Sequence, residues 1–209
     1  MRRTSLLAAT AAVLLTAGCG LGPNAPHPGL AASVGDQRLS LSTLGSVVDA
    51  ACISDAQDPQ GQPTTRGNAS QQELTQWITA QTYVQYAQRH HLQANTTTTD
   101  LTGVPGWSSM SSDQQSAFQD FVDLQQEAKA IATADRQIRI NPDHFDIVIN
   151  PRFDIQIQDA KFVSADQQLS VGVSSEALAQ GQQLDAAQLA ALPAGQLCGK
   201  RPAAPTAGG

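Results

Sequence analysis

The sequence is poor in several residue types, and each scarcity excludes a class of protein. Lysine occurs only at positions 129, 161 and 200, aromatic residues make up 4% of the chain, and the formal net charge is −6. A chain with no basic run lacks the electrostatic footprint of a nucleic-acid-binding protein. No apolar run reaches the roughly 20 residues that a membrane-spanning helix needs. These absences favour an acidic folded domain with a lean core.

Motifs for catalysis and metal binding are also missing. His90 and His91 are adjacent, and adjacent helical side chains project about 100° apart, so the two do not readily share a metal ion. There is no His-Glu-x-x-His, no Cys-x-x-Cys and no Gly-rich phosphate loop. His144 followed by Asp146 suggests a base with its orienting carboxylate, but no nucleophile elbow accompanies the pair. We therefore expect a protein that is not an enzyme and that uses no metal and no cofactor.

The N-terminal segment has the pattern of an export signal. Arg2 and Arg3 precede an apolar run, and the small residues Ala17 and Gly18 lead to Cys19. This arrangement resembles the lipobox of bacterial lipoproteins, although Thr takes the place of the usual Leu three residues before the cysteine. The resemblance implies that residues 1–18 are removed and that Cys19 carries the lipid. An ordinary cleaved signal with an incidental cysteine is the alternative.

The segment after Cys19 contains three prolines and three glycines up to residue 29 and is predicted to be a flexible tether. Without Arg2 and Arg3 the mature chain would carry a net charge of −8, so lipid rather than charge would hold it to a membrane. Few lysines with abundant Ala, Gly and Arg suggest an actinobacterial source. We expect a chain anchored at the outer face of the cell membrane.

Export also bears on the two remaining cysteines, Cys52 and Cys198. An even pair in an oxidising compartment favours a disulfide bond. Such a bond would close a loop of about 145 residues and contribute on the order of 4–5 kcal/mol in the chain-entropy description. Two unpaired thiols are the alternative, and a metal site lacks further ligands at suitable spacing.

Apolar residues at three- and four-residue steps predict three main helices. The first is capped by Ser40 or Ser42 and ends near Cys52. The second follows a polar loop, begins at a Ser70–Glu73 capping box, and ends at the His90–His91 pair.

The third helix is predicted to be the longest. Ser112 and Gln115 match a second capping box, and the apolar side continues through Ile138. Short helical turns are predicted near Ser174–Glu176 and over Asp185–Leu192, and the residues from 200 onward are predicted to be a disordered tail.

Alternation of apolar and polar residues predicts strands at both ends of the folded region. Ala31–Val34 is a short extended run before a Gly-Asp turn. Residues 145–149 and 153–157 alternate around Asn150-Pro151-Arg152, and Leu169–Val173 is a further apolar stretch.

The order of these elements resembles the N-terminal chaperone domain family of SurA-like proteins, in particular its actinobacterial lipoprotein members. Two stretches carry the resemblance. The first is Ala32-Ser33-Val34-Gly35-Asp36, followed by Leu39-Ser40, and the second is Val148-Ile149-Asn150-Pro151-Arg152-Phe153. Asp154 stands where the family usually has glycine. The resemblance covers roughly residues 31–173 and implies that the N-terminal strand pairs with the late strands.

The expected fold class is α+β, mainly α, with amphipathic helices and a small antiparallel sheet, over one domain at residues 30–199. The resemblance implies a chaperone that holds unfolded exported polypeptides. Residues 154–209 are too few for the prolyl isomerase domain that follows in full-length relatives, so isomerase activity is not expected.

Five aromatic side chains on the helices are candidates for client binding. They are Trp77, Tyr83, Tyr86, Phe118 and Phe121. An exposed apolar strip among them would accept extended segments, whereas the alternative, which the residue types favour, is that each of them packs in the core. A structural or adaptor lipoprotein that binds one dedicated cell-envelope partner is the alternative function.

Overall fold

The computed structural model describes residues 28–94, 96–134, 138–165 and 184–203. The described chain is mainly α-helical with small antiparallel sheets, which confirms the expected α+β class. Within the described residues the α-helices are α1 (Leu41–Gln57), α2 (Arg66–Arg89), α3 (Ser112–Ala134) and α4 (Ala186–Ala191). The strands are β1 (Leu30–Val34), β2 (Gln37–Ser40), β3 (Thr64–Thr65), β4 (Ile147–Ile149), β5 (Ile155–Gln158), β6 (Lys161–Ser164) and β7 (Leu197–Cys198).

The first helix begins where the sequence predicts and ends later. The Ser40 hydroxyl accepts a hydrogen bond from the Thr43 N–H at 2.9 Å and so caps α1. The helix then continues past Cys52 to Gln57. Cys52 therefore lies inside the helix rather than at its end.

Helix α2 begins four residues before the predicted capping box. Thr65 is its N-cap, and the Thr65 hydroxyl accepts from the Asn68 N–H at 3.0 Å. Ser70 lies inside the helix, where its hydroxyl donates to the Arg66 carbonyl, and Glu73 is buried. The prediction of a cap at Ser70–Glu73 is wrong because Thr65, at the end of β3, already caps the helix.

Helix α3 has a capping box one residue before the predicted one. The Gln114 amide oxygen accepts from the Ser111 N–H at 2.8 Å, and the Ser111 hydroxyl accepts from the Gln114 N–H at 3.3 Å. The helix ends at Ala134 rather than continuing through Ile138, which lies buried outside it. The predicted short helix near the C-terminus is present as α4, with a complete capping box at Asp185.

The N-terminal strand lies at the centre of a three-stranded sheet of order β2-β1-β4. β1 and β2 form a hairpin in which Val34 faces Gln37 across the Gly35-Asp36 turn, and Gly35 has φ 55°, a conformation that favours glycine. On its other side β1 pairs with β4, with Ala32 opposite Ile149. The expected contact between the N-terminal strand and a late strand is therefore present.

The second late strand does not join this sheet. β5 pairs with β6, a strand that the sequence pattern did not reveal. A short 3-10 turn over Pro151–Phe153 and the left-handed conformation of Asp154, at φ 52°, redirect the chain after β4. The expectation that both late strands belong to one sheet with β1 is wrong, because the turn between them changes the direction of the chain and takes β5 away from β1.

The core lies where β1 meets the first two helices. Its fully buried side chains include Val34 of β1, Val47 and Val48 of α1, and Leu74 and Ile78 of α2. A second buried cluster lies between the C-terminal parts of α2 and α3 and is formed by Val84, Ala87, Ile131 and Ile138. Two separate buried clusters of apolar side chains therefore lie along the length of α2.

Glutamine side chains connect the helices to the loops and strands that cover them. The sequence contains 26 glutamines. Side-chain amides of Gln71, Gln115 and Gln119 donate to the carbonyl oxygens of Phe153, Trp107 and Thr99 at 2.7, 2.9 and 2.9 Å. Gln85 donates likewise to the Val34 carbonyl. The abundant glutamines therefore donate hydrogen bonds to backbone carbonyl groups of the loops and strands that cover the helices.

Candidate functional site

A long groove runs between the β1–β2 hairpin and the helices α2 and α3. It consists of two adjoining concavities of about 580 and 590 Å³. Both are lined by Gln37 of the hairpin, Gln81 of α2, and Leu124 and Glu127 of α3, so the two concavities are neighbours that share part of their lining. We call the two together the hairpin groove. Each concavity has the volume that is usual for a ligand-binding cleft.

The floor of the hairpin groove is apolar. Trp77 and Phe121 lie in it, together with Leu39, Val47 and Leu124. Trp77 is only 7% exposed and Phe121 only 6%, so each presents one edge to the groove while the rest of its ring belongs to the core. These two residues are the only predicted client-binding aromatics that line it.

The other three predicted aromatics lie elsewhere. Phe118 is half-buried against the main core, and Tyr83 and Tyr86 are half-buried against the second cluster. Tyr86 stacks on His90 with ring centroids 4.2 Å apart. The five side chains therefore do not form one exposed strip, and the alternative that they pack in the core describes most of their surface.

One wall of the hairpin groove is acidic. Asp120, Asp123 and Glu127 line it at intervals of three and four residues, which places them on one face of α3. Asp123 accepts from the Thr99 N–H and from the Gln119 amide, both at 3.0 Å. Within the described parts of the chain, Asp120 and Glu127 have no hydrogen-bond or ion-pair partner.

The opposite wall and the far end contribute two arginines and a further carboxylate. Arg38 on β2 is exposed and has no ion-pair partner among the described residues. Arg89 lies over the Phe145 ring at 4.7 Å and donates to the His144 carbonyl at 3.4 Å. Asp36 lies at the tip of the hairpin and also lines the groove. The lining therefore carries four carboxylates and two guanidinium groups.

The rim above α3 is formed by Thr96, Thr97 and Thr98. This segment is held in place by the hydrogen bonds of Thr99 to Gln119 and Asp123. The sequence pattern marks the threonines only as a break after α2, because nothing in a local pattern indicates that Thr99 is hydrogen-bonded to side chains 20 and 24 residues further on.

A second region lies at the N-terminal end of α2, where a disulfide bond joins Cys52 to Cys198. The two Cα atoms are 4.6 Å apart, and Cys198 is fully buried. β7, which contains Cys198, pairs with β3 just before α2. The predicted bridge is therefore present and ties the C-terminal segment to α1 and α2.

Glu73 is buried in the same region. It is 9% exposed, and desolvation, with a smaller contribution from the negative charge of Asp55, raises its pKa to about 7. The pKa of Asp55 is raised as well, by burial and by Asp58. The sequence indicated an exposed cap at Glu73, and its burial follows from the earlier start of α2.

Features of an active site are sparse in the described chain. Among the described residues, no group of three or more His, Cys, Asp or Glu side chains is placed to hold a metal ion. His144 is exposed in a short 3-10 turn, and its carbonyl is the acceptor for Arg89. The hairpin groove instead offers an apolar floor and carboxylate side chains, which suit apolar and basic groups of a ligand.

Several sequence predictions lie outside the described residues. These are the signal peptide, the lipidated Cys19, most of the tether, the Leu169–Val173 stretch, the turn near Ser174–Glu176 and most of the tail. In the part of the chain that the structure describes, no helix combines the length and the hydropathy required to cross a bilayer.

Comparison with known proteins identifies no relative: no protein-family model, no curated protein and no solved structure matches the chain.

Proposed function

We propose that this chain is a membrane-anchored, extracytoplasmic chaperone of the SurA-like type that holds exported polypeptides and has no prolyl isomerase activity. The observation that carries the proposal is the hairpin groove. It is open along its length and has an apolar floor at Trp77 and Phe121. Chains that leave a translocation channel are extended, and a long open groove suits an extended ligand better than a closed pocket does.

Two structural details support the family resemblance. The stretches that carry it lie side by side, because β1 pairs with β4 through Val34 and Ile147. Asp154 stands at the position where the family usually has glycine, and its φ of 52° is the conformation for which glycine is favoured. Aspartate tolerates this conformation better than most residues, so the replacement preserves the turn.

The composition of the groove suits a ligand that must be released. Most of the surface of Trp77 and Phe121 is covered, so a client would bury little of either ring, and the walls are polar. Binding energy grows with the apolar area removed from water, so a narrow apolar floor predicts weak and reversible binding. Weak binding is what a holdase requires, since its clients must go on to fold.

The proposed location follows from the N-terminal sequence. Lipid on Cys19 would keep the domain at the outer face of the membrane, beside emerging chains. The test is Cys19→Ala in cells, with the protein followed by fractionation. Release of the variant into the soluble fraction is expected, and continued membrane association would contradict the lipid anchor.

The chaperone activity is tested by adding the soluble domain to a reduced, unfolded client and following light scattering. Wild-type protein is expected to suppress aggregation, and a variant with the groove filled, Gln81→Trp, is expected to suppress it less. Gln72→Trp is the matched control, because Gln72 is exposed on the same helix and does not line the groove. No suppression at several-fold molar excess of wild-type protein would refute the proposal.

An adaptor that binds one dedicated cell-envelope partner is the second candidate. The observation that favours it is the fixed shape of the rim, where Thr99 is held by both Gln119 and Asp123. A rigid rim selects among ligands more than a flexible one does. Crosslinking in cells distinguishes the two functions: one stoichiometric partner supports the adaptor, and many exported proteins support the chaperone.

A further inference from the structure

We propose that the hairpin groove selects extended polypeptide segments in which basic residues accompany apolar ones, and that these segments lie alongside β2. This inference names the client class of the proposed chaperone and therefore rests on that function for its biological meaning. The binding itself depends only on the groove.

Charge is the first argument. The α3 wall presents Asp120, Asp123 and Glu127 to the groove, and Asp36 adds a fourth carboxylate at the hairpin tip. Of the two arginines in the lining, Arg89 already interacts with the Phe145 ring and the His144 carbonyl. The groove thus has excess negative charge, and its Asp120 and Glu127 carboxylates lack partners among the described residues. Lysine and arginine side chains are the complementary groups.

The backbone of β2 is the second argument. β2 is the edge strand of the sheet of order β2-β1-β4, and Gln37, Arg38 and Leu39 line the groove. In an antiparallel hairpin, hydrogen-bonded and non-hydrogen-bonded pairs alternate. Gln37 and Val34 flank the two-residue turn and form a hydrogen-bonded pair, so Arg38, opposite Ser33, directs its N–H and C=O away from β1. These groups are available to an added extended segment.

The apolar floor is the third argument, and it separates this ligand from a simple cation. Trp77, Phe121 and Leu124 lie below the acidic wall. In an extended chain successive side chains point in opposite directions, at about 3.3 Å per residue. A segment beside β2 would place alternate apolar side chains on the floor and would bring neighbouring basic side chains to the carboxylates.

The test measures binding of short fluorescent peptides to the soluble domain by anisotropy. One peptide alternates valine and lysine around a glycine, and its partner has glutamate in place of every lysine. The lysine peptide is expected to bind and the glutamate peptide to show no measurable binding. Higher salt is expected to weaken the interaction, because exposed charges are screened.

The variant Asp120→Asn with Glu127→Gln is expected to weaken binding of the lysine peptide by about tenfold, since exposed ion pairs contribute a few-fold each. Asp143→Asn with Asp159→Asn makes the same change in net charge at exposed positions outside the groove and is expected to leave binding unchanged. Equal weakening by both double variants would show an effect of net charge alone and would overturn the proposal. Equal binding of the two peptides would also overturn it.

Failure of this inference and failure of the chaperone function give different results. If aggregation of clients is suppressed but the groove variants and the peptide charge have no effect, the chaperone proposal stands and the client class is wrong. If the lysine peptide binds in the groove but no client is protected, the groove assignment stands and the holdase activity is wrong.

Discussion

The two ends of helix α2 differ in how they are built. At its N-terminal end, the Cys52–Cys198 bond and the β3–β7 pair hold separate parts of the chain together, and Glu73 is buried nearby. At its C-terminal half, Gln81 lines an open groove whose carboxylates face solvent. The first region is held together by a covalent bond and strand pairing, and the second is a groove lined by charged side chains.

This difference indicates a division of roles along one helix. Cross-links and buried contacts contribute to stability, whereas unpaired charges around a cleft contribute little to it and are common at binding sites. Substitutions at the bonded end should therefore change the free energy of unfolding and leave peptide binding intact. Substitutions in the groove should do the reverse.

The largest effect is expected from removing the disulfide bond. Cys52 and Cys198 are 146 residues apart, and in the chain-entropy description closing a loop of that length contributes on the order of 5 kcal/mol. The double variant Cys52→Ala with Cys198→Ala should lose about that much unfolding free energy, measured by urea denaturation. Reduction of the wild type with a thiol should produce the same shift. A loss below about 1 kcal/mol would show that the bonded end is held by its other contacts.

A second effect concerns Glu73 and pH. The pKa of Glu73 is about 7 in the folded protein and 4.5 in the unfolded chain. Between these two pH values the folded state therefore binds the proton more tightly than the unfolded state does. The contribution of Glu73 to the free energy of unfolding is therefore fully present below pH 4.5 and falls as the pH rises to about 7. Above pH 7 the free energy of unfolding is lower by on the order of 3 kcal/mol.

Glu73→Gln removes the ionisation, and it should make the protein more stable than the wild type at about pH 8, with the difference vanishing near pH 4. Urea midpoints across this range measure the effect. A wild-type midpoint that is constant from about pH 5 to pH 8 would contradict the raised pKa.

Several features of the fold could be predicted from the sequence. The helix cap at Ser40 or Ser42 and the short helix over Asp185–Leu192 were predicted because their signals are local. The Cys52–Cys198 bond was predicted because the expected export and lipidation of Cys19 would leave two cysteines in an oxidising compartment, and the contact of β1 with a late strand was predicted from the family resemblance.

Other features were missed because tertiary contacts decide them. Thr65 became the cap of α2 because β3 ends there, and β3 exists only through its pairing with the distant β7. β6 was missed because its turn is made by Asp159 and Ala160, both at positive φ, without the glycine that normally marks such a turn. The groove was missed because its lining comes from four separate parts of the chain. One sequence did not indicate that Trp77 lines the groove whereas Phe118 does not.

Gly61 and Gly45 differ in the space around them. A Cβ atom at Gly61 would lie 2.2 Å from the Asp55 carbonyl oxygen, whereas a Cβ at Gly45, inside α1, would meet nothing within 4 Å. Gly61→Ala should destabilise by about 1–3 kcal/mol through steric overlap. Gly45→Ala should stabilise by about 1 kcal/mol, because alanine is the better helix former. Thermal unfolding of both variants measures the difference, and equal shifts of the same sign would show that the loop at Gly61 is not tightly packed.

The smallest effect on stability is expected in the groove itself. Asp120, Asp123 and Glu127 are like charges at helical intervals of three and four residues, and each such pair destabilises a helix by about 0.2–0.5 kcal/mol. The variant Asp120→Asn with Glu127→Gln should therefore unfold at a slightly higher urea concentration at low salt. This gain should disappear at high salt, where the repulsion is screened.

The sign of that small change decides what the carboxylates are for. If the variant is instead destabilised by 1 kcal/mol or more, about twice the usual range for a surface substitution, the carboxylates support the fold, and the groove is an incidental gap between helices. If the variant is stabilised and also loses its affinity for the lysine peptide, the protein retains repulsive charges that the fold does not need. Charges retained at a cost to stability are expected where a ligand of opposite charge binds, because such a ligand relieves the repulsion on binding.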